Sequence, residues 1–192
     1  VDMVARVVTG AYDAINGGFG TSPKFPNPSV VQLLLHLYRT SGEEFYRVML
    51  EKTLDGMADG PLFDREEGGF FRHSSKADWS EPQLEKLLDD NVGLAGVYLD
   101  ASLLLDRDDY RRVAWQTIEY LTDHLYGDPV PGFHGSQGAH SDYFSLPLAA
   151  RRGQTPPPVD TFCYTSSNAR AVSLLLGASW KLERPGLAQK AL

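Results

Sequence analysis

Between Gly68 and Asn91 the chain gathers the side chains that move protons and hold polar ligands: Arg72, His73, Asp78, Trp79, Glu81, Glu85, Lys86, Asp89, Asp90 and Asn91. Two capable pairs stand at i and i+4, Glu85 with Asp89 and Lys86 with Asp90, so on a helix each pair shares one face. Gly93 and Gly96 continue those faces without a side chain and leave room beside them. Charged groups at the start of an otherwise apolar helix must be paired, solvated in a cavity, or functional. Paired carboxylates suit general acid and base work, or a nucleophile in glycoside chemistry. Glu85 and Asp90 are therefore the candidate catalytic groups, with Arg72 and Lys86 to orient a substrate and Trp79 and Phe25 to stack on it. The same residues also fit an ion-pair network that ties a loop to a helix. His73, His134 and His140 fall in loops, but no HExxH or comparable spacing accompanies them, so neither a metal nor another cofactor is expected.

The elements that must position these groups show in a repeat. GGFG at 17–20, GGFF at 68–71 and PGFHG at 131–135 each lie between an amphipathic helical stretch and an apolar one. One supersecondary unit recurring at this spacing marks an array whose units stack to bury a core. The glycines permit positive φ and close backbone approach, and the following Phe most simply plugs the top of the barrel. Amphipathic helices are predicted over 1–15, from Ser41 to about Asp59, and over 108–126. Apolar ones are predicted from Pro28 to Thr40, from Ser80 to about Leu105, and over 165–182. Asn27 reads as an N-cap before Pro28, while Ser41 with Glu44 and Ser80 with Gln83 read as capping boxes. Pro185 opens a seventh helix. Wholly buried helices alternating with half-buried ones imply two concentric helical layers, an all-α, partial α/α toroid of the six-hairpin type. Its long connections (16–27, 60–80 and 127–164) fall on one rim and are rich in aromatic residues. Aromatics beside carboxylates suit a sugar-like ligand, whose ring face stacks while its hydroxyls hydrogen-bond; the same rings also suit sealing long loops against the barrel.

Composition narrows the classes. The 192 residues, 42% of them apolar, are read as one domain, 1–192. A formal charge of −7 with no basic run argues against nucleic acid. The longest apolar stretches carry polar residues and fall short of the roughly 20 positions that span a bilayer, so no membrane span is expected. Cys163 is the single cysteine, which excludes a disulfide framework and fits a cytoplasmic setting. Seven helices make about half of a closed barrel, so the chain reads as part of a longer protein whose remainder, or a partner chain, covers the open edge.

These motifs resemble the helical C-terminal region of the thioredoxin-domain-containing family that includes spermatogenesis-associated protein 20. The resemblance rests on GGFGTSPKFP at 17–26, GGFFRHS at 68–74 with Trp79, QLEKLLDDN at 83–91, GFHGSQGAH at 132–140 and YTSSNA at 164–169. It implies a toroid like those of six-hairpin glycosidases and N-acylglucosamine 2-epimerases, and a missing N-terminal thioredoxin-like domain. It adds Lys24, Asn91 and Gln137 to Glu85, Lys86, Asp90 and Arg72 as retained polar positions. It also exposes departures: the motif's His is Gln83 here, and two motif acids are Gly138 and His140. An amide is no base at neutral pH. Two readings stay open: a sugar epimerase, isomerase or glycosidase, and a degenerate module that binds a sugar or a protein.

Overall fold

The computed structural model describes residues 2–127 and 131–192; part of the expected 127–164 connection, 128–130, lies outside the described residues. The chain is mainly helical, with a few two-residue strands, and divides into two compact units.

The first unit comprises the residues up to Phe63 together with Phe71–Gln83. Helix α1 (Asp2–Gly10) is mostly exposed, including Met3, Val4 and Val7. Helices α2 (Pro28–Ser41) and α3 (Glu44–Asp59) form a hairpin, packing Val31, Leu34, Leu35 and Leu37 with Met49, Leu50, Leu54 and Met57. Gly42 ends α2 in the left-handed conformation, its N–H donating to the Tyr38 carbonyl at 2.8 Å. Two expected caps differ from the structure. Asn27 is itself left-handed and its amide donates to the Phe25 carbonyl, so it makes no cap bond to α2. Ser41 belongs to the last turn of α2, and its hydroxyl donates to the Leu37 carbonyl, leaving Glu43 to precede α3.

The helix expected from Ser80 also starts later. Residues His73–Ser74 (β1) and Pro82–Gln83 (β2) pair antiparallel, His73 opposite Gln83. Glu81 precedes a proline, which disfavours helical backbone, and its carbonyl accepts from the Ser75 N–H at 2.8 Å. The chain therefore makes a ribbon where the pattern predicted a first turn.

The second unit comprises Asp64–Phe70 and Leu84–Leu192. Lys86–Leu87 (β3), Ser136–Gln137 (β4) and Val159–Asp160 (β5) form an antiparallel sheet in the order β3-β4-β5, with Lys86 opposite Gln137 and Gln137 opposite Val159. Strand pairing uses the backbone of Lys86 and Leu87, so α4 runs only from Leu88 to Leu105. It is buried on nearly every side, from Leu88 and Asn91 to Ala101 and Ser102. It packs against α5 (Asp108–Tyr120), which buries only the face of Tyr110, Val113, Ala114, Thr117, Ile118 and Tyr120, and against α8 (Thr165–Lys181). A π-helical turn, Leu121–Leu125, extends α5. Helices α6 (Ser141–Phe144) and α7 (Leu148–Arg151) are short and give no periodic signal in the sequence. Helix α8, expected to be apolar throughout, buries Ser167, Ala171, Leu175 and Ala178 while Leu176 and Trp180 remain exposed. Helix α9 (Pro185–Ala191) packs on α8. No helix among the described residues is long and apolar enough to cross a membrane.

Candidate functional site

The first two glycine loops share one backbone plan, and the third keeps one bond of it, from the Gly127 N–H to the Gly132 carbonyl at 2.8 Å. In the first, the Asp13 N–H donates to the Gly18 carbonyl and the Gly17 N–H returns to the Asp13 carbonyl, both at 2.9 Å. In the second, Asp64 N–H to Gly69 carbonyl and Gly68 N–H to Asp64 carbonyl repeat this at 3.0 and 2.9 Å. Gly17 and Gly68 have φ of +72° and +79°, and a Cβ on them would lie 2.6 and 2.3 Å from the carbonyl oxygens of Lys52 and Gln116. Only glycine fits so close to the main chain of a helix in that conformation.

Each of these two loops encloses a lysine. Lys24 Nζ donates to Asp13 Oδ2 at 2.5 Å and to the Gly17 carbonyl at 2.8 Å; Lys86 Nζ donates to Asp64 Oδ2 and the Gly68 carbonyl, both at 2.7 Å. Both side chains are 0% exposed. Burial would raise the Asp13 carboxyl, but hydrogen bonds from Lys24 and Asn16 and from the Ile15 N–H outweigh it and hold it well below the carboxylate range. The underlying motif is an aromatic, Asp, three residues, Gly-Gly-Phe, at 12–19 and 63–70. The third loop keeps the spacing with Tyr126, Gly132 and Phe133 but carries Gly127 in the Asp position. It shares instead an asparagine clamp with the second. Asn91 and Asn168 bond the main chain of Phe70 and Phe133 respectively, each accepting from the N–H at 2.6 Å and donating back to the carbonyl.

This plan accounts for much of the residue set nominated from sequence. Lys24, Lys86 and Asn91 are loop scaffolding. Trp79 is 1% exposed, its indole N–H donating to the Asn16 carbonyl at 3.0 Å while Lys24 Nζ lies 5.2 Å from its ring. Gln137 is buried on β4. Phe25 is 41% exposed and stacks on His73 at 4.7 Å, and Arg72 is exposed. Glu85 and Asp90 are half-buried; Glu85 precedes β3 and Asp90 stands in the first turn of α4. The expected helical pairs Glu85 with Asp89 and Lys86 with Asp90 do not form as helix-face pairs, because residues 85–87 are not helical. Asp89 lies near Arg170, at 3.5 Å.

The densest ionisable cluster belongs to the second unit, and its members other than Lys86 were not nominated. Arg151 donates from Nη1 and Nη2 to Asp64 at 2.7 and 3.1 Å, and from Nη1 to Glu67 at 2.9 Å. The Tyr143 hydroxyl donates to Glu67 at 2.6 Å. Burial alone would raise the Asp64 carboxyl, yet Lys86 and Arg151 outweigh it and keep it below its ordinary range. Burial lowers the Lys86 amine to about 8 against the pull of Asp64. Burial, then the bond to Glu67, pushes the Tyr143 hydroxyl up to about 12. Tyr120 stacks on His124 at 5.3 Å; burial raises the Tyr120 hydroxyl and lowers the His124 imidazole. Asp64 was legible as the partner of Asp13 in the repeated motif, five residues before each second glycine; Glu67 and Arg151 had no such signal.

No protein-family model matches the chain. It is 32% identical over 137 residues to the uncharacterised protein B0495.5 of Caenorhabditis elegans, a match covering 68% of this chain and 18% of that one. It is 32% identical over 150 residues to human spermatogenesis-associated protein 20, covering 76% of this chain and 18% of the relative. The chain thus matches less than a fifth of the length of these relatives. Among solved structures, cellobiose 2-epimerase from Spirochaeta thermophila DSM 6192 superposes with a TM-score of 0.77 at 16% identity, over 98% of this chain and 49% of its own. A family 76 glycoside hydrolase from a bovine Bacteroides thetaiotaomicron strain gives 0.69 at 13%, over 88% and 34%. A D-mannose isomerase gives 0.70 at 10%, over 99% and 47%. At such identities the likeness establishes the fold, a segment of an α/α toroid. The chain belongs to the spermatogenesis-associated protein 20 family, of whose members it matches one helical segment.

Proposed function

We propose that this segment is the sugar-binding part of an epimerase, isomerase or glycosidase of the α/α-toroid class, with Glu85 and Asp90 as its proton-transferring groups. The observation that carries the reading is the fold shared with a cellobiose 2-epimerase over nearly the whole chain. Moving a proton beside a sugar carbonyl, or onto a glycosidic oxygen, needs a side chain that can give and take a proton within reach of the substrate, and a partly exposed carboxyl group is one such side chain. Glu85 and Asp90 are the half-buried acids of the nominated set, and both belong to the second unit. Incubating the protein with cellobiose and with D-mannose, and following new anomeric signals by NMR, tests the reading. Turnover that falls by about 10²-fold or more in Glu85→Gln or Asp90→Asn supports it. Unchanged turnover in both variants removes the assignment.

A non-catalytic sugar-binding module is the second reading, favoured by the amide of Gln83 and by the scaffold roles of Lys24, Trp79, Lys86 and Asn91, these four at most 1% exposed. Saturable sugar binding without turnover in the same assay selects it.

A further inference from the structure

Residues 141–151 lie as a strap across the buried centre around Lys86. Only Tyr143 and Arg151 of helices α6 and α7 are buried; Ser141, Asp142, Ser145 and 147–150 are exposed. The strap is fastened to one short segment, 64–67. Arg151 forks onto Asp64 and reaches Glu67, Tyr143 bonds Glu67, and the Leu148 N–H donates to Glu66 at 2.6 Å. Phe144 closes over the amine, its ring centre 5.1 Å from Lys86 Nζ. A short segment that is exposed along most of its length and fastened largely through polar bonds opens more readily than the buried helices around it.

In residues beside Lys86, two buried polar atoms have no hydrogen-bond partner among the described residues: the Tyr120 hydroxyl and Gln137 Oε1. Both side chains are 1% exposed. Both adjoin Lys86, Tyr120 through its ring at 4.4 Å and Gln137 as the cross-strand partner on the same sheet face. Buried polar groups are almost always satisfied, so unmet ones mark a place for another molecule. Arg151 meanwhile occupies the two carboxylates with a planar set of N–H donors, as a donor-rich ligand would.

We infer that residues 141–151 are a displaceable strap over a ligand site built from Asp64, Glu67, Lys86, Tyr120 and Gln137, and that the ligand it excludes is a polyhydroxylated, sugar-like molecule. Carboxylates, a hydroxyl, an amide oxygen and an amine together offer the mixed acceptors and donors that neighbouring sugar hydroxyls need. The ligand class rests on the sugar-binding function proposed above; the strap does not.

Lys24 supplies an internal control, since it is as buried as Lys86 and sits in the other compact unit. Brief acetylation with acetic anhydride, read residue by residue by mass spectrometry, should modify both lysines slowly in the native protein. Arg151→Ala should raise modification of Lys86 at least tenfold with Lys24 unchanged, and Tyr143→Phe, which keeps every charge, should raise it at least threefold. D-Mannose or cellobiose should then protect Lys86 in Arg151→Ala. Unchanged Lys86 in both variants, or Lys24 rising in step with it, overturns the strap. Selective exposure without protection by either sugar overturns the ligand class. If calorimetry shows sugar binding while Lys86 stays unprotected, this site fails and the proposed function stands.

Discussion

The side-chain amide of Asn91 brackets the main chain of Phe70: Oδ1 accepts its N–H at 2.6 Å, and Nδ2 donates to its carbonyl at 3.0 Å and to that of Leu87 at 2.9 Å. Removing such a group strands buried donors and acceptors that water cannot reach. Asn91→Ala should cost about 2–4 kcal/mol of stability, read from the urea midpoint. The equivalent Asn168→Ala, at a half-buried position, should cost less, about 1 kcal/mol, because solvent can replace part of what is lost.

Glycines of the same sign of φ should differ sharply in what they tolerate. Gly20 has φ of +76° but nothing within 4 Å of where a methyl group would stand, so Gly20→Ala carries only the backbone penalty, about 1–2 kcal/mol. Gly68→Ala adds a contact of 2.3 Å with a main-chain oxygen and should cost more than about 3 kcal/mol. Equal thermal shifts in the two variants would contradict the close packing of that loop on α5.

Acid should attack the Asp64 ion pairs. A carboxyl depressed in the folded state contributes stability that is full above its ordinary value, 3.8, and is lost as pH falls through its lower folded value. Asp64→Asn should flatten that acid limb. At neutral pH it should also destabilise the protein by about 3–5 kcal/mol, since Lys86 and Arg151 keep buried charge without it. Urea melts at pH 2.5 to 7 measure both effects.

Lys86 gives the opposite limb. Its folded amine titrates at about 8 against an ordinary 10.5. Between these values the unfolded chain binds more protons, so stability should rise with pH there, and the buried charge costs most below pH 8. In Lys86→Met this rise should be smaller by about 3 kcal/mol than in the parent protein, measured as the difference between the two pH series. A rise of equal size in both would remove Lys86 as its source.

The helical layers were legible because burial leaves a periodic trace. Helix α5 buries one face and reads as a stripe, whereas α4 is buried from Leu88 to Ser102 and reads as apolar on all sides. The start of α4 was not legible. The Ser80 and Gln83 pattern fits a capping box, but the strand pairing of Lys86 with Gln137 is contributed from 51 positions away, and no local window contains it. Polar residues in and beside the glycine loops, Lys24 and Lys86 among them, were nominated from sequence as substrate-binding groups. Their burial as loop scaffolding depends on Asp13 and Asp64, and their common place in the repeat is visible only when the Gly-Gly-Phe motif is extended five residues back. Arg151 lies 87 positions from Asp64, beyond any pattern a single sequence displays.

Trp79 lodges where three glycines leave space: a Cβ on Gly18, Gly56 or Gly60 would lie 2.5, 3.0 or 3.5 Å from its side chain. Its indole is also joined to Asn16 across 63 residues. The seat exists only once the first loop and α3 have met, and closing so long a stretch of chain is slow relative to local helix formation. If that seat forms only after the folding barrier, substitutions of Trp79 should accelerate unfolding and leave the refolding rate nearly unchanged, as stopped-flow kinetics in urea would measure.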